Sequence, residues 1–123
     1  MKKTENRILK KFETTDVVIE VIDGVPMFEI YSTGMALGYT KTAKGKLYAR
    51  EERINKTLKN AEISAVVHRG QLYISENQLY DFMLEAHTEK CKPFRKWIVD
   101  DVLPIINKTG GYVSEDAEKE FII

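Results

Sequence analysis

The feature that most constrains the fold is a strand pattern at residues 15–31 that turns back on itself. One side of the extended chain carries three alternating apolar residues, Val17, Ile19 and Val21. This two-residue period is that of a β-strand. Asp23-Gly24 then supplies a pair that accepts positive φ angles, and residues 25–31 return as the partner strand. Pro26 cannot donate a ladder hydrogen bond and is expected at the start or edge of that strand.

A second hairpin and a helix are predicted downstream. Residues 65–68 and 71–74 are rich in strand formers and flank Arg69-Gly70. Ser75 followed by Gln78 is a capping box, which marks a helix start. Helical spacing continues behind it to His87, through Leu79, Phe82, Met83 and Ala86.

The segment between the hairpins predicts two short helices and a loop. Ser32 or Thr33 can cap a helix that passes through residues 35–37 and ends at Gly38. Residues 41–46 are polar, contain a glycine, and are predicted to form a loop. Residues 50–60 contain helix formers with a narrow apolar stripe, Ile54 and Leu58.

The last predicted helix contains two prolines. Pro93 suits a first helical position, whereas Pro104 removes one helix hydrogen bond and predicts a kink or break. Gly110-Gly111 is expected to end the element. One broad apolar stripe consists of Phe94, Trp97, Ile98, Val102, Ile105 and Ile106. Together these elements predict an α+β fold, in which two β-hairpins form a small antiparallel sheet packed with several short helices.

Composition narrows the class of protein. With 123 residues the chain suits one domain, and no apolar run approaches the length of about 20 residues that a membrane span needs. Residues 1–11 lack the apolar segment that a secretory signal peptide contains. A single cysteine, Cys91, cannot form an internal disulfide and agrees with a reducing compartment. The expected location is the cytoplasm, with no membrane partner.

No catalytic site is predicted, and no metal or cofactor. His68 and His87 lie on different predicted elements, and His87 with Cys91 would give only two metal ligands. Asp100-Asp101 are expected to be surface charges or partners for Lys96. Gly45-Lys46 lacks the upstream glycine and the following hydroxyl residue of a phosphate loop. A binding module is therefore expected rather than an enzyme.

Basic residues cluster, although the net charge is zero. Residues 1–11 carry a net charge of +4 and residues 41–59 a net charge of +5, whereas residues 114–123 are acidic. Such a basic segment, with Tyr48 in it, can meet DNA phosphates, and a solvated lysine-rich face remains the alternative. The candidate DNA-binding residues are Lys41, Lys44, Lys46, Arg50, Arg53, Lys56 and Lys59, with Arg95 and Lys96 extending the surface.

The end of the chain resembles a known domain. Residues 92–113 contain Phe94, the basic pair Arg95-Lys96, Trp97, then Val102-Leu103-Pro104 and Lys108-Thr109-Gly110-Gly111-Tyr112. This order closely resembles the end of the Bro-N domain, the amino-terminal domain of baculovirus BRO proteins and of many phage and prophage antirepressors. The likeness continues through residues 78–86, 36–39 and 21–24. Residues 41–59 differ from the charged middle segment of many members and are nearer to the antirepressor branch.

The resemblance implies DNA binding and, in phages, control of the switch from lysogenic to lytic growth. It divides the chain into a basic extension at 1–14, a Bro-N domain at 15–113 and an acidic tail or linker at 114–123, which would lead to an absent carboxy-terminal domain. The alternative is a protein-interaction module that binds a phage repressor without contacting DNA. A homo-oligomer is compatible with either function.

Overall fold

The computed structural model describes residues 6–109, with side chains described for residues 7–106. The elements in chain order are β1 Asn6–Phe12, β2 Thr15–Ile22, β3 Val25–Glu29, α1 Ile30–Ala36, β4 Thr40–Ala43, β5 Lys46–Ala49, α2 Glu51–Asn60, β6 Val66–His68, β7 Gln71–Ser75, α3 Glu76–Ala86, α4 Cys91–Trp97, a π-helical segment Ile98–Val102 and α5 Leu103–Thr109. Gly110-Gly111 and residues 114–123 lie outside the described residues. None of the helices in the described part is long and apolar enough to cross a membrane.

Five strands form one antiparallel sheet in the order β1-β2-β3-β7-β6. The two predicted hairpins, β2-β3 and β6-β7, are confirmed, and β3 joins them by pairing with β7. At the turns, Asp23 and Gly24 have φ angles of 52° and 79°, and Arg69 and Gly70 have 54° and 78°. Positive φ at both central residues is the geometry that lets a two-residue turn follow the twist of the strands.

The sheet begins earlier than the sequence pattern predicts, at Asn6. β1 lies within the segment predicted to be a basic extension, and it pairs with β2 along its whole length, from Asn6 with Val21 to Phe12 with Thr15. Phe12 is buried and its ring contacts Phe94 edge-on at 5.0 Å and Trp97 at 5.4 Å. The N-terminal strand therefore contributes to the core that the last helix completes.

The core lies between one face of the sheet and the helices. Val17, Ile19 and Val21 are fully buried, as their alternation predicts. From the last helical run, four buried residues project at intervals of four: Phe94, Ile98, Val102 and Ile106. In a regular α-helix each step of four residues drifts by about 40°, so three steps would rotate the stripe by about 120°. The π-helical segment has more residues per turn and keeps the four side chains on one face.

The same segment explains how the chain accommodates Pro104. A break or kink is expected there, but the chain remains helical from Cys91 to Thr109. The amide of Leu103 donates to the carbonyl of Ile98, five residues back. This wider hydrogen-bonding pattern ends immediately before the proline, which has no N–H to donate. Pro93 lies third in α4 rather than first, because the helix begins at Cys91.

The N-cap of helix α1 lies three residues before Ser32, the earlier of the two predicted caps. Glu29 caps the helix, because its carboxylate accepts hydrogen bonds from the amides of Tyr31 at 3.0 Å and Ser32 at 2.7 Å. Ser32 instead accepts a hydrogen bond from the Val18 amide at 3.0 Å, which ties α1 to β2. The predicted capping box of Ser75 and Gln78 is confirmed, and α3 ends at His87 in the left-handed conformation.

A polar cluster occupies the other face of the sheet. Glu20 on β2 is fully buried, and its carboxylate accepts a hydrogen bond of 2.5 Å from the Tyr73 hydroxyl on β7. Arg7 lies 3.9 Å from this carboxylate and His68 lies 3.4 Å from it. Burial, and then the bond to Glu20, raise the pKa of Tyr73 well above its ordinary value. The neutral phenol is therefore the stable form in the fold.

Replacing Tyr73 by phenylalanine tests the importance of this cluster. Tyr73→Phe removes the donor closest to a buried carboxylate, so we expect the free energy of unfolding to fall by about 1–3 kcal/mol. Urea unfolding measures the loss. Tyr48→Phe is the matched control, because Tyr48 is exposed, and it should change stability by less than about 0.5 kcal/mol. Equal stabilities for the two variants would contradict this role of Tyr73.

Candidate nucleic-acid interface

The basic segment that was predicted to be a loop forms a hairpin. β4 and β5 pair from Thr40 with Ala49 to Ala43 with Lys46, as a separate two-stranded sheet. Lys44 and Gly45 make the turn with φ angles of 52° and 78°, the same geometry as at Asp23-Gly24 and Arg69-Gly70. The loop prediction was wrong because Lys-Gly, unlike Asp-Gly, is a weak turn signal.

This hairpin, residues 40–49, is almost entirely exposed. All residues from 41 to 48 are exposed, whereas Ala49 at its base packs against the core. The register places Lys41 opposite Tyr48 and Ala43 opposite Lys46, so these four side chains share one face. Two lysines and a half-exposed aromatic ring therefore lie side by side, with Lys44 at the tip.

Tyr39 anchors the base of the hairpin. Its carbonyl accepts a hydrogen bond of 3.0 Å from the Arg50 amide, which extends the ladder by one pair. Its ring is buried against Phe82 of α3, with 6.3 Å between ring centroids. The Arg53 guanidinium lies 5.1 Å from the centre of the Tyr39 ring. Through its carbonyl and its ring, Tyr39 thus connects the hairpin, α2 and the core.

Helix α2 supplies the second part of the basic surface. Ile54, Thr57 and Leu58 are buried. The exposed positions include Arg53, Lys56 and Lys59, which are spaced three residues apart and are neighbours along the helix surface. Glu51 and Glu52 lie in the first turn, where negative side chains interact favourably with the helix dipole. The basic residues therefore lie beyond the acidic start of the helix.

The structure brings most of the nominated residues to these two neighbouring elements. The hairpin carries Lys41, Lys44 and Lys46, Arg50 joins it to α2, and α2 carries Arg53, Lys56 and Lys59; all seven are exposed. Arg95 and Lys96 lie elsewhere, on α4. Their observed side-chain partners are the Tyr80 ring, 5.5 Å from the Arg95 guanidinium, and Asp100, 2.8 Å from Lys96.

Two exposed apolar residues of the hairpin were not nominated. Leu47 is 57% exposed and Tyr48 is 46% exposed. The sequence did contain a signal for this hairpin. Residues with a preference for strands lie on either side of the Lys44-Gly45 turn, among them Thr40, Thr42 and Tyr48. Within residues 7–106, no three His, Cys, Asp or Glu side chains come close enough to hold a metal ion.

Comparison with known proteins identifies the family. The sequence model of the BRO family, N-terminal domain (Bro-N), matches residues 15–104. The chain belongs to the BRO family. The Bro-N match begins at the first residue of β2 and includes the hairpin, α2 and α4.

One curated relative shares a short segment with this Bro-N domain. An uncharacterized protein of Haemophilus influenzae (strain Rd) is 38% identical over 40 residues, which cover 32% of this chain and 20% of that protein. The aligned segment thus spans a small part of the relative. No solved structure matches the chain.

The closest packing of α2 offers a test of how the interface is positioned. A methyl group added at Gly34 of α1 would lie 2.4 Å from the Ile54 Cδ1 atom of α2, far below van der Waals contact. We expect Gly34→Ala to cost about 1–3 kcal/mol of stability, because the buried Ile54 side chain, or α2 with it, must shift.

Urea unfolding of the double variant distinguishes this clash from other effects of the substitution. Ile54→Ala removes the two side-chain atoms closest to the added methyl. The combined loss in Gly34→Ala/Ile54→Ala should therefore be smaller than the sum of the single losses. Strictly additive losses would contradict the proposed contact.

Proposed function

We propose that this Bro-N domain is a DNA-binding module of a phage or prophage antirepressor, acting in the cytoplasm of a bacterial host. The observation that carries the proposal is the exposed basic hairpin, residues 40–49, next to the basic surface of α2. No acidic residue lies between residues 40 and 50, and three lysines do. Family membership supports the proposal, since DNA binding is what the Bro-N resemblance implies.

Shape and charge favour duplex DNA as the ligand. The major groove admits an α-helix or a two-stranded ribbon, and the hairpin is such a ribbon. Arg50 joins the hairpin to α2, so both elements can contact one stretch of the DNA sugar-phosphate backbone. Lysine and arginine contacts to phosphates would set the register and orientation of the protein without specifying a sequence.

The antirepressor role rests on resemblance. The segment at residues 92–113 resembles the end of the Bro-N domain, and the character of residues 41–59 is nearer to the antirepressor branch of the family. In that setting the domain acts by binding rather than by catalysis, and DNA contact at the hairpin accompanies relief of repression. Capture of a repressor protein without DNA contact is the rival mechanism.

The salt dependence of DNA affinity tests the interface. Each phosphate contact contributes a slope of about −0.9 to the logarithm of affinity plotted against the logarithm of salt concentration. If Lys44, Lys46 and Arg50 each contact a phosphate, replacing all three by glutamine should reduce the slope by about 2–3. Fluorescence anisotropy with a labelled duplex at several salt concentrations measures it.

A triple variant with the same loss of charge provides the control. Lys11, Arg69 and Lys92 are exposed basic residues outside the hairpin and α2. Replacing them by glutamine should leave most of the salt slope intact. Equal slopes for the two triple variants would mean that the interface lies elsewhere. A wild-type domain that binds repressor and no DNA would establish the rival mechanism instead.

A further inference from the structure

A groove lies between the end of α3 and the start of α4, and none of its lining residues belongs to the β4-β5 hairpin or to α2. Its volume is about 570 Å³, and its walls include Tyr80, Met83, Leu84, Cys91, Lys92 and Arg95. This is within the size range of ordinary ligand pockets, and helix-binding grooves are formed in the same way between packed helices. We call it the α3–α4 groove.

Hydrogen bonds hold the shape of the α3–α4 groove in the free protein. His87 ends α3 in the left-handed conformation, with its amide bonded to the Met83 carbonyl at 2.8 Å. The Thr88 hydroxyl then donates to the Leu37 carbonyl at 2.8 Å, which fixes the connection between the helices. Cys91 Sγ lies 3.5 Å from the Met83 carbonyl across the groove. A ligand would therefore meet a preformed site.

The apolar part of the groove is open to solvent. Leu84 is 78% exposed and is the most exposed of the large apolar side chains in the described part of the chain. It lies beside Met83, which is nearly buried, and the polarizable thioether of methionine adapts to varied apolar partners. An apolar side chain of a partner can therefore pack against both residues in the groove.

The charged part of the groove has one sign. Lys92 and Arg95 are exposed cations in its wall, and no carboxylate is among the groove-lining residues in the described part of the chain. The Arg95 guanidinium stacks on the Tyr80 ring at 5.5 Å, and the Tyr80 hydroxyl donates to Glu76 at 2.7 Å. These contacts hold Arg95 in the wall, so a ligand need not order it.

We propose that the α3–α4 groove binds an amphipathic helical segment of a partner protein that carries apolar anchors flanked by acidic residues. The anchors pack on Met83 and Leu84, and the acidic residues pair with Lys92 and Arg95. Charge complementarity selects an acidic segment over a basic or neutral one. This activity is additional to DNA binding and does not depend on it.

A synthetic helical peptide tests the proposal. The probe is a fluorescein-labelled peptide of about 16 residues, with leucines on one face and glutamates on both sides of that face. We expect saturable binding, and at least tenfold weaker binding of a peptide with lysines in place of the glutamates, as a rough estimate from the paired charges. Absence of saturable binding, or equal affinity for both peptides, would overturn the proposal.

One pair of variants locates the binding site on the chain. Leu84→Glu puts a negative charge at the lip of the groove and should weaken peptide binding by about tenfold or more. Val99→Glu makes the same change at an exposed apolar residue that does not line the groove, and should change it by less than about twofold. Equal effects of the two substitutions would place the peptide outside the groove.

Cys91 gives a second readout in the unmodified chain. It is the chain's single cysteine and lines the groove, so saturating peptide should slow its reaction with a thiol reagent by about tenfold. Unchanged thiol reactivity at saturation would overturn the proposal.

A chain shortened to residue 113 tests the acidic segment 114–123 as the occupant instead. If shortening alone raises Cys91 reactivity and peptide affinity, the groove serves that segment and the proposal fails.

DNA binding separates the two proposals. Leu84→Glu should retain DNA affinity within about threefold, because Leu84 lies outside the hairpin and α2 and the substitution adds only one charge. Loss of peptide binding with retained DNA binding supports a separate groove function. Equal loss of both would overturn the independence of the groove.

Discussion

The hydrogen bond between Glu20 and Tyr73 holds together parts of the sheet that are far apart in sequence. It crosses β3, which lies between β2 and β7. Burial of the Glu20 carboxylate would cost free energy if no donor satisfied it. A shift of β7 by one residue would turn Tyr73 to the other face of the sheet. The pairing register of β2, β3 and β7 is therefore tied to the hydrogen bond that satisfies one buried carboxylate.

The pairing of β3 with β7 positions the candidate DNA interface. α1, the β4-β5 hairpin and α2 all lie in the chain between β3 and β7, so the sheet fixes both ends of the insertion that carries them. Within it, Gly34 lets α1 and α2 approach closely, and Tyr39 fastens the hairpin to Phe82. The exposed lysines thus project from a rigid base, and DNA binding needs little prior ordering of the backbone.

The sequence predicted those elements whose local signals agree with their tertiary environment. Asp23-Gly24 between alternating apolar residues gave the first hairpin, and the Ser75 capping box gave the start of α3. β1 was missed because Arg7, Lys10 and Lys11 dominate its composition, whereas its strand pairing is a tertiary contact. The burial of Glu20 could not be predicted either, because its partner Tyr73 is 53 residues away. For the candidate interface, residue types indicated where positive charge is concentrated, but they did not indicate its two-stranded form, because Lys44-Gly45 is a weak turn signal.

The candidate DNA interface and the α3–α4 groove are both attached to one short segment of chain, residues 37–39. Leu37 accepts the hydrogen bond that holds the connection before α4, and Tyr39, two residues later, anchors the hairpin. Arg95, nominated for DNA binding, lines the groove and stacks on Tyr80. The structure thus assigns it to a different surface from the seven basic residues of the hairpin and α2.

The most direct test of the central claim is an NMR titration of the isotope-labelled domain with a short DNA duplex, followed through backbone amide shifts. The account predicts that the largest shifts fall in residues 40–60, with the amides of β1 and of the outer sheet face little changed. Shifts concentrated on α4 or on the sheet, with residues 40–60 unaffected, would contradict it.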